Sequence, residues 1–372
     1  MQSIFSNALS RAVAKHIDLS ATRRETLSWL ALLFLQHGTI SLWRLAAYLA
    51  SAAQTASVQR RFYRFFQFVR LDGTHSARVV VELLGLSGKP WMLAIDRTNW
   101  DFGKTTINIL MISVAWNGMG IPLLWMLLPT TGNSNTAERT ELLDRLHVAF
   151  PDLKIAALMG DREFIGDAWM AYLQRKNIPF ILRLRENQYV SRPGYVALPI
   201  SVIARHLKVG EKMIVKGSCQ LGHANENLSA SVRLVIMRLV SGELLALACS
   251  GRTRHALARY RHRWTIETMF GNLKTKGFAL ETTHLTDPNK LCTLLALLAL
   301  AVALAVKTGV ITARLRAIPI KKHGRRARSL FALGLNTLRK IFAAATPDQI
   351  IAFLAQLLSS KLPVKPLLSL AF

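Results

Sequence analysis

The sequence predicts an α/β fold: a mixed β-sheet core carrying a β-rich insertion, with basic helical regions before and after it. Three observations lead there. Two apolar runs of strand length, residues 91–95 and 155–160, each lead directly into an aspartate, Asp96 and Asp161. The stretch from residue 90 to residue 184 reads as three strands, then helix, strand, helix, strand, an order that suits a mixed sheet. Both flanks show helical patterning, and the whole chain carries 48 Lys and Arg against 21 Asp and Glu, a net charge of +27.

That surplus points to a polyanion as partner, because neutralised phosphates release condensed counterions. Scarcity of acids sharpens the reading. Residues 288–347 contain 11 Lys and Arg and no carboxylate. An acid that follows an apolar strand in such a chain needs a cation to compensate it. The three cysteines, Cys219, Cys249 and Cys292, are far apart and lack metal-ligand spacing, which argues for reduced thiols in a cytoplasmic setting. Residues 1–20 carry an acid and no apolar run, so no signal peptide is expected. The uncharged run 291–306 falls slightly short of a membrane span and ends at Lys307, so it is expected as a buried core helix rather than a membrane contact.

Taken in order, residues 1–85 form a helical DNA-binding region, with helices over 27–35 and 41–50. A further helix from Ser57 interleaves Arg60, Arg61 and Arg64 with aromatics, as expected where one face packs and the other meets phosphates. Strands follow over 91–95, 107–116 and 121–128, the last two joined through Asn117-Gly118-Met119-Gly120. A helix over 136–150 has Thr136 as candidate N-cap. Then come a strand over 154–159, a helix over 167–176 and a strand over 179–184. Residues 187–251 change texture: short strands over 212–215, 229–240 and 243–249, separated by Gly, Asn and Ser, make up the insertion. The core thus comprises residues 86–186 and 252–310. Residues 311–372 form a basic helical C-terminal region holding the cluster Lys321, Lys322, Arg325 and Arg326.

Asp96, Asp161 and Glu267 are the candidate chemistry. Two carboxylates at strand ends and a third on a helix suit a pair of hard divalent cations, which take oxygen ligands and clamp the two reacting oxygens of a phosphodiester. The helix of Glu267 begins near Tyr260. At roughly 100° per residue, Tyr260, Arg263, Glu267 and Lys274 fall within about 60° of arc, while Ile266, Met269 and Leu273 occupy the packing side. Asp101, Glu163 and Asp167 compete for the ligand roles by proximity in sequence.

The spacing Tyr260-x2-Arg263-x3-Glu267-x6-Lys274 resembles the YREK signature of bacterial insertion-sequence DDE transposases, and Asp96 and Asp161 resemble that family's two catalytic aspartates. The resemblance implies an RNase H-like core interrupted by a β-strand insertion before the catalytic glutamate. It also implies two Mg²⁺ ions, with Mn²⁺ able to substitute, held by Asp96, Asp161 and Glu267. Arg263 and Lys274 are then expected on phosphates and Tyr260 on the DNA end. The implied activity is cleavage at terminal inverted repeats and strand transfer into target DNA by a homodimer on double-stranded DNA, in a bacterial cytoplasm at the nucleoid. A nuclease or resolvase on the same core, or an inactive DNA-binding repressor, would share most of these features. Some relatives carry a base-flipping tryptophan in the insertion; residues 187–251 contain none, leaving Tyr189 and Tyr195 as the aromatics there.

Overall fold

A computed structural model describes residues 9–49, 51–222, 231–322 and 324–359. The N-terminal part is helical: α1 (Ala21–His37), α2 (Leu42–Tyr48), α3 (Thr55–Phe68) and α4 (Gly73–Leu84). α1 extends the expected 27–35 run at both ends, and Gly38, in the left-handed region at φ 64°, closes it through its N–H on the Phe34 carbonyl. α3 buries Val58, Phe62, Phe65 and Phe66, the apolar half of its aromatic–arginine pattern. Asp72 caps α4 by accepting from the backbone N–H groups of Thr74 and His75.

The core opens with β1 (Trp91–Phe102), β2 (Thr105–Trp116) and β3 (Met119–Leu127), an antiparallel meander. Asn117 and Gly118 both take positive φ, 50° and 78°, so the β2–β3 connection is a two-residue turn. Then come α5 (Thr136–Ala149), β4 (Ile155–Gly160), α6 (Asp167–Arg175) and β5 (Phe180–Leu184). The N-cap of α5 is Asn135, one residue before the expected Thr136, because Asn135 and Glu138 close a reciprocal capping box. β4 pairs parallel with both β1 and β5. The resulting order β3-β2-β1-β4-β5, three antiparallel strands followed by two parallel ones, is the RNase H-like arrangement expected.

The insertion contributes β6 (Tyr189–Arg192), β7 (Tyr195–Pro199), the single turn α7 (Ile200–Ile203), β8 (Lys212–Ile214), β9 (Cys219–Leu221), β10 (Ser231–Arg238) and β11 (Leu244–Cys249). Residues 229 and 230, expected to open one of these strands, lie outside the described residues. β11 returns antiparallel onto β5, so the insertion prolongs the core sheet to 11 strands among the described residues.

After β11 come α8 (Ala256–Tyr260), a 3₁₀ turn (Arg261–Arg263), α9 (Trp264–Leu273), α10 (Pro288–Leu315), α11 (Leu330–Ala344) and α12 (Pro347–Leu358). α10 is the axle of the molecule. It is 28 residues long and, by length and composition, apolar enough to cross a membrane, yet its most apolar 18-residue window is wholly buried in the fold. It packs against α1, α4, α11 and β3, which explains why the run is apolar all round. Its contact with α11 is backbone-close: a Cβ on Gly309 would lie 1.9 Å from the Leu330 carbonyl oxygen, and one on Gly334 1.8 Å from that of Ala305.

One charge sits inside this packing. Lys307, 4% exposed, donates to the Ser359 carbonyl at 3.0 Å, and burial pulls its pKa from 10.5 down to about 8. A lowered lysine pKa means that the unfolded chain binds more protons between pH 8 and 10.5, so this group's penalty is complete below pH 8 and fades as pH rises to 10.5. Lys307→Met is therefore expected to raise the melting temperature by a few degrees at pH 7, with the gain over wild type shrinking in melts run from pH 8 to 10.5.

Candidate active site

The parallel register of β1 and β4 sets the site. Their pairing runs to Ala94↔Met159; Asp96 follows two residues later on β1, and Asp161 one residue beyond the end of β4. Both acids therefore emerge at the carboxyl edge of the parallel pair, where open α/β sheets place their ligands. Asp96 does not end its strand, as the apolar run suggested. β1 continues to Phe102 because β2 keeps pairing with it as far as Phe102↔Thr105.

Glu267 arrives from the other side, in the first turn of α9. There the helix dipole favours negative charge. α9 lies on β1 and β3, and it approaches β3 so closely that a Cβ on Gly120 would sit 2.4 Å from the Thr265 carbonyl oxygen. The expected continuous helix from Tyr260 is interrupted by the 3₁₀ turn at Arg261–Arg263. Residues three apart eclipse in such a turn, which stacks the Arg263 guanidinium 5.6 Å from the Tyr260 ring centroid.

Arg263 is the cation among the acids. Its Nη2 lies 2.6 Å from Glu267 Oε1 and its Nη1 3.7 Å from Asp96 Oδ2. Burial opposes its charge, but Tyr260, Glu267 and Asp161 outweigh burial and raise its pKa. Asp96 shows the strain of the cluster: burial, then the nearby charges of Asp161 and Glu267, push its pKa to about 6 against the pull of the Arg97 backbone N–H and Arg263. Asp161 Oδ1 is buried without a hydrogen-bond partner, as are Nε and Nη1 of Arg263.

The competing acids are differently placed. Glu163 accepts both oxygens' worth of contact from Arg97 Nε at 2.7 and 2.9 Å, and its Oε1 also accepts from the N–H and hydroxyl of Ser134 at 2.9 Å each. Arg97 further reaches Asn108 and Asn133. This strap ties β1 just past Asp96 to the loop just past Asp161. Asp101 accepts from Thr106 near the far end of β1, and Asp167 sits in the first turn of α6.

The remaining sequence-predicted residues divide. Tyr260 is buried, 7% exposed, with its hydroxyl 3.5 Å from the Gly160 carbonyl oxygen. Lys274 lies just past α9 as its C-cap, so its direction is not set by the helical stripe. It donates to the Asn99 carbonyl at 3.0 Å and pairs with Glu281 at 2.8 Å. On α3, Arg60 and Arg64 are exposed, whereas Arg61 turns inward to Thr22, Thr26 and Glu25 and stacks on Trp29. Arg61 thus fastens α3 to α1 rather than projecting with its neighbours; its contacts lie more than 30 residues away, beyond what helical spacing can report. Lys321, Lys322, Arg325 and Arg326 are exposed on a hairpin closed by the Ile320–Arg326 bridge, and Arg325 lies 5.4 Å over the ring of Trp264 at the start of α9. Tyr195, 64% exposed, has Arg192 over its ring.

Can these residues hold the divalent ions that the resemblance implies? Among the described residues no three His, Cys, Asp or Glu side chains are gathered closely enough to close around an ion. The donor chemistry nevertheless fits: all three are carboxylates, one has an orphaned buried oxygen, and their mutual repulsion calls for a cation. The Arg263 guanidinium answers that call in the free protein.

A family model described as a transposase DDE domain matches residues 87–304, more than half of the chain. The chain belongs to this family of nucleic-acid phosphoryl-transfer enzymes, which generally use divalent metal ions. Among solved structures, a cryo-EM structure of a piggyBac transposase synaptic complex with hairpin DNA aligns with a TM-score of 0.43 and 12% identity, covering 98% of this chain and 84% of that one. Comparison with curated protein sequences gave no match.

Two substitutions should move metal-free stability in opposite directions. Asp96→Asn relieves a carboxylate raised from 3.8 to about 6, up to about 3 kcal/mol at neutral pH. It should raise the melting temperature in chelator, the gain narrowing as pH falls from 6 towards 3.8, where wild-type Asp96 is already protonated. Glu163→Gln breaks a satisfied, half-buried pair and should lower it, by about 1–3 kcal/mol in denaturant titration. The same sign for both would contradict the division of roles. Gly120→Ala should displace α9 and cost about 1–3 kcal/mol, measured the same way.

Proposed function

We propose that this chain is the cut-and-paste transposase of a bacterial insertion sequence, cleaving at the terminal inverted repeats and transferring the freed strands into target DNA. The observation that supports it most is the placing of Asp96 and Glu267 against one guanidinium, that of Arg263, with Asp161 close enough to act on both Asp96 and Arg263, at the carboxyl edge of the β1–β4 pair.

In this reading the three carboxylates hold two Mg²⁺ ions, which Mn²⁺ can replace. When bound, such ions activate the attacking oxygen and stabilise the leaving one. The chain's own residues prepare that site. Arg97 and Glu163 hold the β1 and β4 ends in register, and Gly120 lets α9 bring Glu267 down to them. Arg263 must let go of Glu267 before the carboxylates can share an ion. A DNA phosphate offers the acceptors that Nε and Nη1 lack, and arginine forks suit phosphate oxygens. Lys274 would similarly exchange Glu281 for a phosphate, while Tyr260, being buried, would act by seating Arg263 rather than by touching the DNA end.

Residues 1–85 would bind the element end, with Arg60 and Arg64 on its backbone, and residues 311–372 would contribute Lys321, Lys322, Arg325 and Arg326. The core, residues 86–186 and 252–310, would carry the chemistry around the 187–251 insertion. Two copies would pair two DNA ends at the bacterial nucleoid.

The test is Mg²⁺-dependent cleavage of DNA carrying the gene with its native flanks. Wild type should cut at both boundaries and join the ends to a target plasmid, whereas Glu267→Gln should bind the same DNA with unchanged affinity and cut at least a thousandfold more slowly. Normal cutting by the variant would overturn the site assignment, and cutting without joining would make the protein a nuclease.

A further inference from the structure

A second pair of arginines stands at the sheet edge from which Asp161 emerges, and the chemistry proposed above does not use it. β4 and β5 pair in parallel as far as Gly160↔Leu182, and the next residues along the chain on either side are Asp161 and Arg183. Arg162 follows Asp161. Arg183 Nη2 lies 2.8 Å from Oε1 of Glu243, and Arg162 Nη2 is bonded to the same oxygen. Glu243 comes from the insertion, at the turn between β10 and β11. There the Leu244 N–H on Glu186 and the Arg238 guanidinium on the Gly242 carbonyl hold the hairpin end in place. The pair is close to the site's own residues: burial raises the pKa of the Tyr260 hydroxyl, and the charges of Arg263, Asp161 and Arg183 all bear on it.

Two guanidiniums on a single carboxylate oxygen leave donors unmet. The Nε atoms of Arg162 and Arg183 are both buried without an acceptor, and one negative charge faces two positive ones. The Arg97–Glu163 strap differs: there one arginine meets both oxygens of its glutamate, and Ser134 adds two donors to it. Among the described residues four arginines keep a buried nitrogen without an acceptor, Arg24, Arg162, Arg183 and Arg263, and the last three gather around Asp161. A phosphate presents more oxygens than a carboxylate and suits arginine forks. An unmet buried donor is costly, so exchanging Glu243 for a phosphate satisfies more of this pair. The Glu243 side chain is 42% exposed, against 15% for Glu163, and such an exposed partner gives up little on returning to water.

We infer that Arg162 and Arg183 form a second phosphate-binding subsite beside Asp161, which Glu243 of the insertion fills in the free protein and a phosphodiester next to the reacting bond takes over when DNA binds. The inference rests on the transposase reading for the identity of the phosphate. It is tested in a Glu267→Gln background, which binds without cutting, by measuring affinity across salt concentrations for a duplex from the native flank. Glu243→Gln should raise the affinity about tenfold, because DNA no longer has to displace two partly exposed ion pairs. The gain should vanish once Arg162→Gln and Arg183→Gln are added. Equal or weaker binding by Glu243→Gln overturns the proposal, and so does a gain that survives the loss of both arginines, which would mark a general charge effect. Should any of these combinations lose its cooperative melt, Arg162→Gln alone decides. It should flatten the plot of log affinity against log salt by about 0.9, the share of one phosphate contact, and an unchanged slope overturns the subsite. Failure of the transposase reading shows separately, as absence of Glu267-dependent cutting by the otherwise unmodified protein.

Discussion

Three carboxylates brought together against their mutual repulsion are the constraint around which this molecule is organised. The parallel register of β1 with β4 sends Asp96 and Asp161 out at one edge of the sheet, and α9 lowers Glu267 onto them. Left alone, such a cluster would splay or take up protons, and the raised pKa of Asp96 records that tendency. The fold resists it with rigid supports: a backbone-close seat for α9 at Gly120, the Arg97–Glu163 strap across the two strand ends, and α10 packed beneath β3.

Two arginines near the cluster illustrate the difference between holding a site and serving it. Arg97 has its donors placed on Glu163, Asn108 and Asn133, a satisfied set that has no reason to rearrange. Arg263 is equally buried but keeps two donors without acceptors. An unsatisfied buried donor is costly, so Arg263 gains from any ligand that presents well-placed oxygens. On the proposed reading, a phosphate would improve the arginine's hydrogen bonding while freeing Glu267 for a divalent ion.

Much of this was legible in the sequence where the signal is local. The β2–β3 turn at Asn117-Gly118, the strand order and the apolar run feeding Asp161 all depend on neighbours in the chain, and the structure places them within a residue or two. The buried destiny of residues 291–306 was also readable, from Lys307 and the lack of further spans. Helical spacing alone could not set the direction of Lys274, because it assumes one unbroken α-helix, whereas a 3₁₀ turn precedes α9 and the helix ends before Lys274. The inward turn of Arg61, and the Glu163 strap linking residues 66 positions apart, arise from packing between distant segments, to which periodicity is blind. The same holds for the glycines of α10 and α11, which look like helix-weakening residues until the facing backbone is known.

The scarcity of acids links the site to the rest of the surface. With 21 carboxylates against 48 basic side chains, those the fold keeps are often committed inside it: Glu25 fastens α3 to α1 through Arg61, Asp72 caps α4, Glu163 straps the strand ends, and Glu281 holds Lys274. Acids used in this way cannot also neutralise the outer faces of the terminal helices. Arg60 and Arg64 of α3 and the basic residues of the 319–327 hairpin lie on outer faces instead, on either side in sequence of the three carboxylates. A duplex drawn to those flanks by counterion release would otherwise be repelled at the cluster itself. On the proposed reading, Arg263 and the divalent ions that its departure would admit would let a polyanion approach three carboxylates.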